Sequence, residues 1–451
     1  MSRLEFVRDP LWNNIRLEPI ALELMDTPAV QRLRYVRQLG HAFLVYPGAT
    51  HTRFEHALGA YHLCRRAITL LDEGGHPIDE GDATQLRIAA LLHDIGHYPF
   101  SHALEEAGLL GHESLAERHL TRGDLAAALE RRGIAPSKLL ALIRGQTRDP
   151  LAGLVSGSLD VDKLDYLSRD AWMCGVPYGV IDVERLLSAL TLARGPGGRV
   201  SLALHEKGLA ALESLLFAKY QMYRTVYWHH AVRSATAMFK RLVRRAITDG
   251  RISVDDVALA TDDGLIHDLG RDDPTGLARA LGERRLAKRA LDLPATDLPA
   301  DTAAWPGTDP DLVERVEDRM AADLGLEPGE VFLDFPVKEG MLTVDLPVVL
   351  RDGAVRPPPM AGPDGDTYMG LPRVAGELYR SARRLRVFTL RPAKVSERDV
   401  MELVQWPREE VATRLAENRP LLSAADQAPA SPASSPRRSG GRPNRSGPRS
   451  R

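Results

Sequence analysis

From residue 20 to about 245 the apolar residues recur mostly at three- and four-residue intervals, the period of amphipathic helices buried on one face. The stripe Ala57, Ala60, Tyr61, Cys64, Ile68 and Leu71 predicts one such helix, and further helices are expected over 84–95, 159–172, 182–193 and 207–245. Pro47-Gly48, Gly74-Gly75, Gly96, Pro99 and Gly195-Pro196-Gly197 mark the turns between them. The first 240 residues are therefore expected to be almost wholly helical. Beyond 250 the texture changes: Asp, Pro and Gly rise, helices are expected over 276–291 and 311–324, and short apolar runs at 330–337, 341–350 and 385–390 suit strands. The pattern divides the chain into a helical body over 1–249, a smaller α/β lobe over 250–422, and a Ser/Pro/Arg-rich tail over 423–451. That tail has too few large apolar residues to offset its chain entropy, so disorder is expected there. No period of 20–50 residues recurs, which excludes a solenoid.

Charge and composition narrow the function classes. With 59 basic against 61 acidic residues the chain is near neutral, but six of the arginines lie in residues 427–451 without an acid, so the body is mildly acidic. A globally basic nucleic-acid binder is disfavoured, although the tail could contact nucleic acid through salt-sensitive charge neutralisation. The two cysteines, Cys64 and Cys174, form no CxxC pattern and suit a reducing compartment. Neither a signal pattern nor an apolar run of membrane-spanning length is visible, so a soluble cytoplasmic protein is expected.

Three polar clusters break the helical pattern. LLHDIGHYPFSH (91–102) sets His93-Asp94 against apolar residues, where polar groups need partners or a metal. HTRFEH (51–56) supplies His51, Arg53 and His56. LDVDKLDYLSRD (159–170) sets Asp162 and Tyr166 four residues apart and Lys163, Tyr166 and Asp170 three and seven apart, the last set projecting a cation, a phenol and a carboxylate from one side of a helix. Imidazoles mixed with carboxylates bind divalent ions of intermediate hardness such as Mn, Fe, Zn or Mg. Each histidine taken singly is better read as a structural residue; the set is not.

These blocks, with QLG (38–40) and YPGATHTRFEHALG (46–59), resemble the HD-domain metal-dependent phosphohydrolases, in particular the branch that hydrolyses deoxynucleoside triphosphates. The resemblance covers most of residues 4–245 and is faint in the C-terminal lobe. It implies a mainly α fold, a helical HD domain with a smaller α/β lobe, and one divalent ion held by His56, His93, Asp94 and Asp162. It also implies hydrolysis at the α-phosphorus, giving deoxynucleoside and tripolyphosphate. His97, His102, Lys163 and Arg53 match phosphate-contacting positions. His102 and His112 are the candidates for protonating the 5′-oxygen or managing the water, with Glu105 or Glu113 orienting them. Gln38, Tyr166 and Asp170 match contacts to the sugar 3′-hydroxyl, and Tyr227 matches the ring that crowds C2′; the bland reading of Tyr227 is core packing. Lys219 stands where the branch often has Arg, which keeps charge and loses the bidentate fork.

The segment 26–40 resembles one that binds a guanine nucleotide between subunits, with Asp26, Gln31 and Arg34 at base-reading positions, so a GTP or dGTP activator and a homo-oligomer are implied. The bland reading is that Arg32, Arg34 and Arg37 form a solvated helical face. RDPLWNNIRL (8–17) departs from the branch's DPIHG pattern, and Glu5 replaces a phosphate-binding Lys. The competing readings are an HD-type phosphoesterase acting on monophosphates, cyclic nucleotides or nucleic-acid ends, and a binding protein that keeps the fold without turnover.

Overall fold

A computed structural model describes residues 5–195, 198–338, 340–357 and 369–423. The tail expected to be disordered lies, from residue 424 on, outside the described residues. The fold is mainly α with small sheets. Its centre is the 21-residue helix Arg53–Glu73, opened by a capping box in which Thr52 and Glu55 satisfy each other's backbone amides. The helix is buried on nearly every turn and packs against the helices Glu80–Leu92 and Val161–Cys174. Their shared core runs through Leu24, Leu33, Tyr61, Leu63, Leu91 and Leu164.

Several expectations are corrected. The N-terminus is not helical but forms an antiparallel hairpin, Glu5–Asp9 against Asn13–Leu17. The stretch 182–193 splits into a short helix, Val183–Leu187, and a strand, Leu190–Arg194, which pairs with Val200–His205. The run 207–245 is two helices, Leu209–Met222 and His230–Thr248, joined through a π-turn at Tyr223–Tyr227. In the C-terminal region 276–291 is helical only over Leu277–Gly282 before the strand Lys288–Pro294 begins. Of 341–350 only Val348–Val349 is a strand. In these split cases a short apolar run fits either period, and tertiary pairing decides. The expected helix 311–324 is found as Pro310–Asp323, and the strands Val331–Asp334 and Arg384–Thr389 are present, paired antiparallel with Arg384–Thr389 at the sheet's centre.

Packing crosses the 249/250 division. Val348–Val349 extends the Leu190–Arg194 and Val200–His205 sheet. A second core joins Tyr98, Phe100, Met238 and Phe239 to Leu265, Leu277, Leu281, Phe332 and Phe388.

The segment after His93 is irregular because the helix Glu80–Leu92 ends there. Phe100 and Ser101 both adopt left-handed backbone angles, φ 57° and 60°, which non-glycine residues take only when surroundings compel them. The compelling contacts are visible. The Phe100 amide donates to Asp262 Oδ1 at 2.7 Å, Ser101 Oγ donates to the Arg37 carbonyl at 2.7 Å, and the Phe100 ring stacks on His41 at 4.3 Å. Asp262 also accepts from the Arg37 amide at 3.0 Å. Asp262→Ala is expected to cost about 1–3 kcal/mol of stability, the penalty for buried donors left unpaired. Chemical denaturation checks the loss, and limited proteolysis should show earlier cleavage near residue 100.

Candidate active site

His56, on the second turn of the helix Arg53–Glu73, is fully buried and meets His93 and Asp94 from the end of Glu80–Leu92 and Asp162 from the first turn of Val161–Cys174. His56 Nε2 lies 3.2 Å from His93 Nε2, 3.0 Å from an Asp162 oxygen and 3.6 Å from an Asp94 oxygen; His93 Nε2 lies 3.3 Å from Asp94. Ligand bonds of about 2.1 Å set neighbouring donors roughly 3 to 3.5 Å apart, so these spacings suit one ion. Tautomers point the same way. His56 Nδ1 donates to Asp165 at 2.8 Å and His93 Nδ1 donates to the Ala90 carbonyl at 2.8 Å, so in the neutral rings both Nε2 atoms carry lone pairs facing each other and two carboxylates. Such an arrangement calls for a cation. Burial disfavours a charged His56, yet hydrogen bonds to Asp162 and Asp165 hold its pKa up to about 10, another sign of the pocket's negative potential. The residues present therefore fit a divalent metal.

The other expected site residues gather around this cluster. Arg53 is buried, donating to Asp94 at 2.6 Å and to Ser101 Oγ at 3.1 Å, so its guanidinium orients the Asp94 carboxylate. His97 donates through Nε2 to Asp94 at 3.0 Å, which leaves its buried Nδ1 an acceptor without a hydrogen-bond partner. Burial, then the charge of Arg53, drives the His97 pKa well below its ordinary value. His102 and His112 approach one carboxylate: Glu105 accepts from His112 Nδ1 at 2.7 Å and from His102 Nδ1 at 3.1 Å. Burial opposes the Glu105 charge, but those two bonds hold its carboxyl well below the usual range. Each imidazole is left with Nε2 to exchange a proton. Glu113, the other candidate orienter, has no such contact to either ring among the described hydrogen bonds. Gly96 permits this assembly, because a Cβ there would lie 2.0 Å from the His112 carbonyl at the start of the helix His112–Thr121.

On the opposite flank Asp170 accepts from His51 Nε2 at 2.8 Å and from the Tyr227 hydroxyl at 2.7 Å. The Tyr227 ring lies edge-on to Tyr166, 6.4 Å between centroids. The buried Gln38 Oε1 has no hydrogen-bond partner. Asp162, Tyr166 and Asp170 share a helix face, and eight residues at 1.5 Å each set the first and last roughly 12 Å apart. Lys163 is engaged with Asp160 at 2.6 Å and with the Gly157 carbonyl at 2.9 Å. Lys219 is buried; burial and the charges of Lys163 and Lys338 push its pKa down to about 7.

The candidate nucleotide segment is divided. Gln31 donates to the Met25 carbonyl at 2.7 Å and accepts from Arg34 at 2.9 Å, while Arg34 also lies over the Phe54 ring and Asp26 is exposed. Arg32 and Arg37 are not a solvated face. Arg32 donates to the carbonyls of His97, Ala258 and Ala260, and Arg37 pairs with Asp262. Three residues that sequence reasoning passed over hold the site together: Asp165, Arg169 and Asp262. The i, i+4 acid–base spacing of Asp165 and Arg169 was a usable signal; Asp262, remote in sequence, offered none.

The chain is similar to known proteins in sequence and in fold. Residues 53–170 match the HD domain model and residues 181–357 the HD associated region. An uncharacterized protein of Methanocaldococcus jannaschii is 33% identical over 337 residues, covering 74% of this chain and 70% of that protein. The deoxynucleoside triphosphate triphosphohydrolase of Homo sapiens is 26% identical over 294 residues, 57% of this chain and 45% of that protein. A solved phosphohydrolase from Bacteroides thetaiotaomicron shares the fold, with a TM-score of 0.68 at 22% identity over 86% of this chain and 100% of that one. No helix among the described residues is long and apolar enough to cross a membrane.

Lys219 yields a pH prediction. A lysine with a folded pKa near 7 and an ordinary value of 10.5 releases its proton on folding between those limits. The metal-free protein should therefore gain stability from this residue as pH rises from 7 toward 10.5, with no further dependence on it below 7. Lys219→Met is expected to raise stability at pH 6 by on the order of 2–3 kcal/mol, read by denaturant titration at pH 6 and 9, and to flatten that dependence.

Proposed function

This chain belongs to the HD-domain family of phosphohydrolases, and on that premise we propose that it hydrolyses deoxynucleoside triphosphates to deoxynucleoside and tripolyphosphate. The observation that carries the reading is the single helix face on which Asp162, at the metal cluster, is followed by Tyr166 and Asp170, the latter bonded to His51 and Tyr227. A polar box roughly 12 Å along the helix from a metal cluster suits a nucleoside whose 5′-phosphate reaches that cluster.

In this reading His56, His93, Asp94 and Asp162 hold one divalent ion, of the Mn, Fe, Mg or Zn class. When bound, the ion supplies Lewis-acid polarisation of a phosphate oxygen and acidifies a water molecule. Arg53 keeps Asp94 charged and oriented. Lys219 and Lys163 supply positive charge for the triphosphate, Lys163 by sharing its ammonium between Asp160 and phosphate. His97 offers its free Nδ1 to the incoming water or phosphate. His102 or His112, oriented by Glu105 through Nδ1, takes a proton from the attacking water at Nε2 and gives it from there to the departing 5′-oxygen. Gln38, Tyr166 and Asp170 take the 3′-hydroxyl, and the Tyr227 ring, tied to Asp170, leaves no room for a 2′-hydroxyl. Asp26, Gln31 and Arg34 form the site for a GTP or dGTP activator in a homo-oligomer.

The test is to incubate Mn-loaded protein with each dNTP and rNTP, with and without GTP or dGTP, and to resolve products by ion-exchange chromatography and phosphorus NMR. Tripolyphosphate and deoxynucleoside are expected from dNTPs only, with turnover at least about a thousandfold lower in His93→Ala/Asp94→Ala. Verified metal-bound protein that turns over no dNTP would sink the reading, and a screen of monophosphates, cyclic nucleotides and nucleic-acid ends would follow.

A further inference from the structure

The Nδ1 side of His56 leads away from the metal cluster into a buried charge network that ends in the N-terminal hairpin. Asp165 is fully buried and both its oxygens are saturated. Oδ2 accepts from His56 Nδ1 at 2.8 Å and from Arg169 Nε at 2.8 Å; Oδ1 accepts from Arg169 Nη2 at 2.9 Å and from Trp12 Nε1 at 2.5 Å. Arg169 extends its remaining nitrogen, Nη1, to Asp9 at 2.8 Å, and the other Asp9 oxygen accepts from the backbone amides of Leu11 and Trp12 at 2.9 and 2.8 Å. Asp9 thus shapes the turn that carries Trp12, and Trp12 closes the network on Asp165.

Gly59 shows how tightly the network is fitted: a Cβ at this position would lie 1.8 Å from Asp165 Oδ1 and 2.6 Å from Arg169 Nη2. Two carboxylates share one guanidinium, so the network presents a net negative charge to the back of His56. A carboxylate on the far nitrogen of a ligating imidazole fixes its tautomer, holds the ring plane and raises its donor strength.

We infer that the N-terminal hairpin is a working part of the metal centre: Trp12 and Asp9, acting through Asp165 and Arg169, hold His56 with Nε2 presented to the ion, so the seating of the hairpin sets the site's affinity for its divalent cation. The inference rests on the metal-centre reading above and adds positioning residues to it. An isolated two-stranded hairpin is only marginally stable, so its seating depends on such contacts and is open to adjustment by whatever binds near it. Residues 8–17, where the sequence departs from the resembling branch, thereby acquire a role.

Titration of the full-length chain with Mn(II), with free ion read by electron paramagnetic resonance, tests this beside thermal unfolding of the metal-free proteins. Trp12→Phe keeps the ring and removes the N–H; its dissociation constant for Mn(II) is expected to rise about tenfold, and that of Asp165→Asn by about ten- to a hundredfold, with Trp12→Phe unfolding within a few degrees of the wild type. A merely structural Trp12 would move the unfolding temperature and leave the affinity of the folded protein unchanged. Wild-type affinity in folded Trp12→Phe overturns the inference, and that variant decides the matter even where Asp165→Asn does not fold. The His93→Ala/Asp94→Ala protein separates the two readings. Loss of binding there with none in Trp12→Phe leaves the metal centre standing and removes the hairpin from it, whereas a wild type that binds no Mn(II) overturns both.

Discussion

Imidazoles and carboxylates crowded into one largely buried space are the constraint around which this protein is arranged. His56 and His93 face each other through their Nε2 atoms 3.2 Å apart, with Asp94 and Asp162 alongside, and His56, His93 and Asp94 are each tied on the other side, to Asp165, the Ala90 carbonyl and Arg53. Low-dielectric surroundings magnify that repulsion and magnify equally the attraction for a cation. The long helix Arg53–Glu73 is the means: it brings Arg53 to Asp94 and His56 to the cluster from one rigid, capped element.

The segment from His93 to His112 transmits the rest of the molecule to this point. It cannot be regular, since His93, Asp94, His97, His102 and Glu105 must converge from a stretch that a helix would distribute around its circumference. Its left-handed residues Phe100 and Ser101 are held by contacts from Arg37, His41 and Asp262, and Arg32 takes up the His97 carbonyl together with carbonyls of Ala258 and Ala260. On its far side Glu106 pairs with Arg233 at 2.8 Å, and Arg233 pairs with Asp334 at 2.6 Å in the C-terminal sheet. Neighbouring glutamates therefore face different tasks: Glu105 orients two imidazoles, and Glu106 anchors the loop to the lobe behind it. Among the described residues the C-terminal region contributes none to the metal cluster, yet it sets the shape of the loop that completes the site.

Much of the site was legible because its chemistry lies in short blocks. HDIGHYPFSH and DVDKLDYLSRD each place several side chains within one or two turns, and the 3.6-residue period alone puts Lys163, Tyr166 and Asp170 on one side of a helix. The convergence of His56 and the HD pair was readable only through resemblance. What escaped was remote or dual in character. Trp12 meets Asp165 across 153 residues and Asp262 meets Phe100 across 162, and nothing in local pattern announces such contacts. Residues 190–194 sat at the end of a helical pattern and became a strand because Val200–His205 and Val348–Val349 were there to pair with them.

The amino-acid sequence by itself determined the helical body, the polar clusters and the donor types at the metal site, since periodicity, capping and ligand chemistry are local properties of neighbouring residues. Tertiary structure alone decided what each charged group is for. Arg53 and Lys163 carry charge in any conformation, but the partners Asp94 and Asp160 turn one into an orienter of a ligand and hold the other in reserve beside it. Lys219 is an ordinary lysine until burial beside Lys163 and Lys338 brings its proton within reach of neutral pH. The physical reason is the same throughout: a residue's identity sets which charges and hydrogen bonds it can offer, whereas their value depends on solvent exclusion and on partners that only the folded chain assembles.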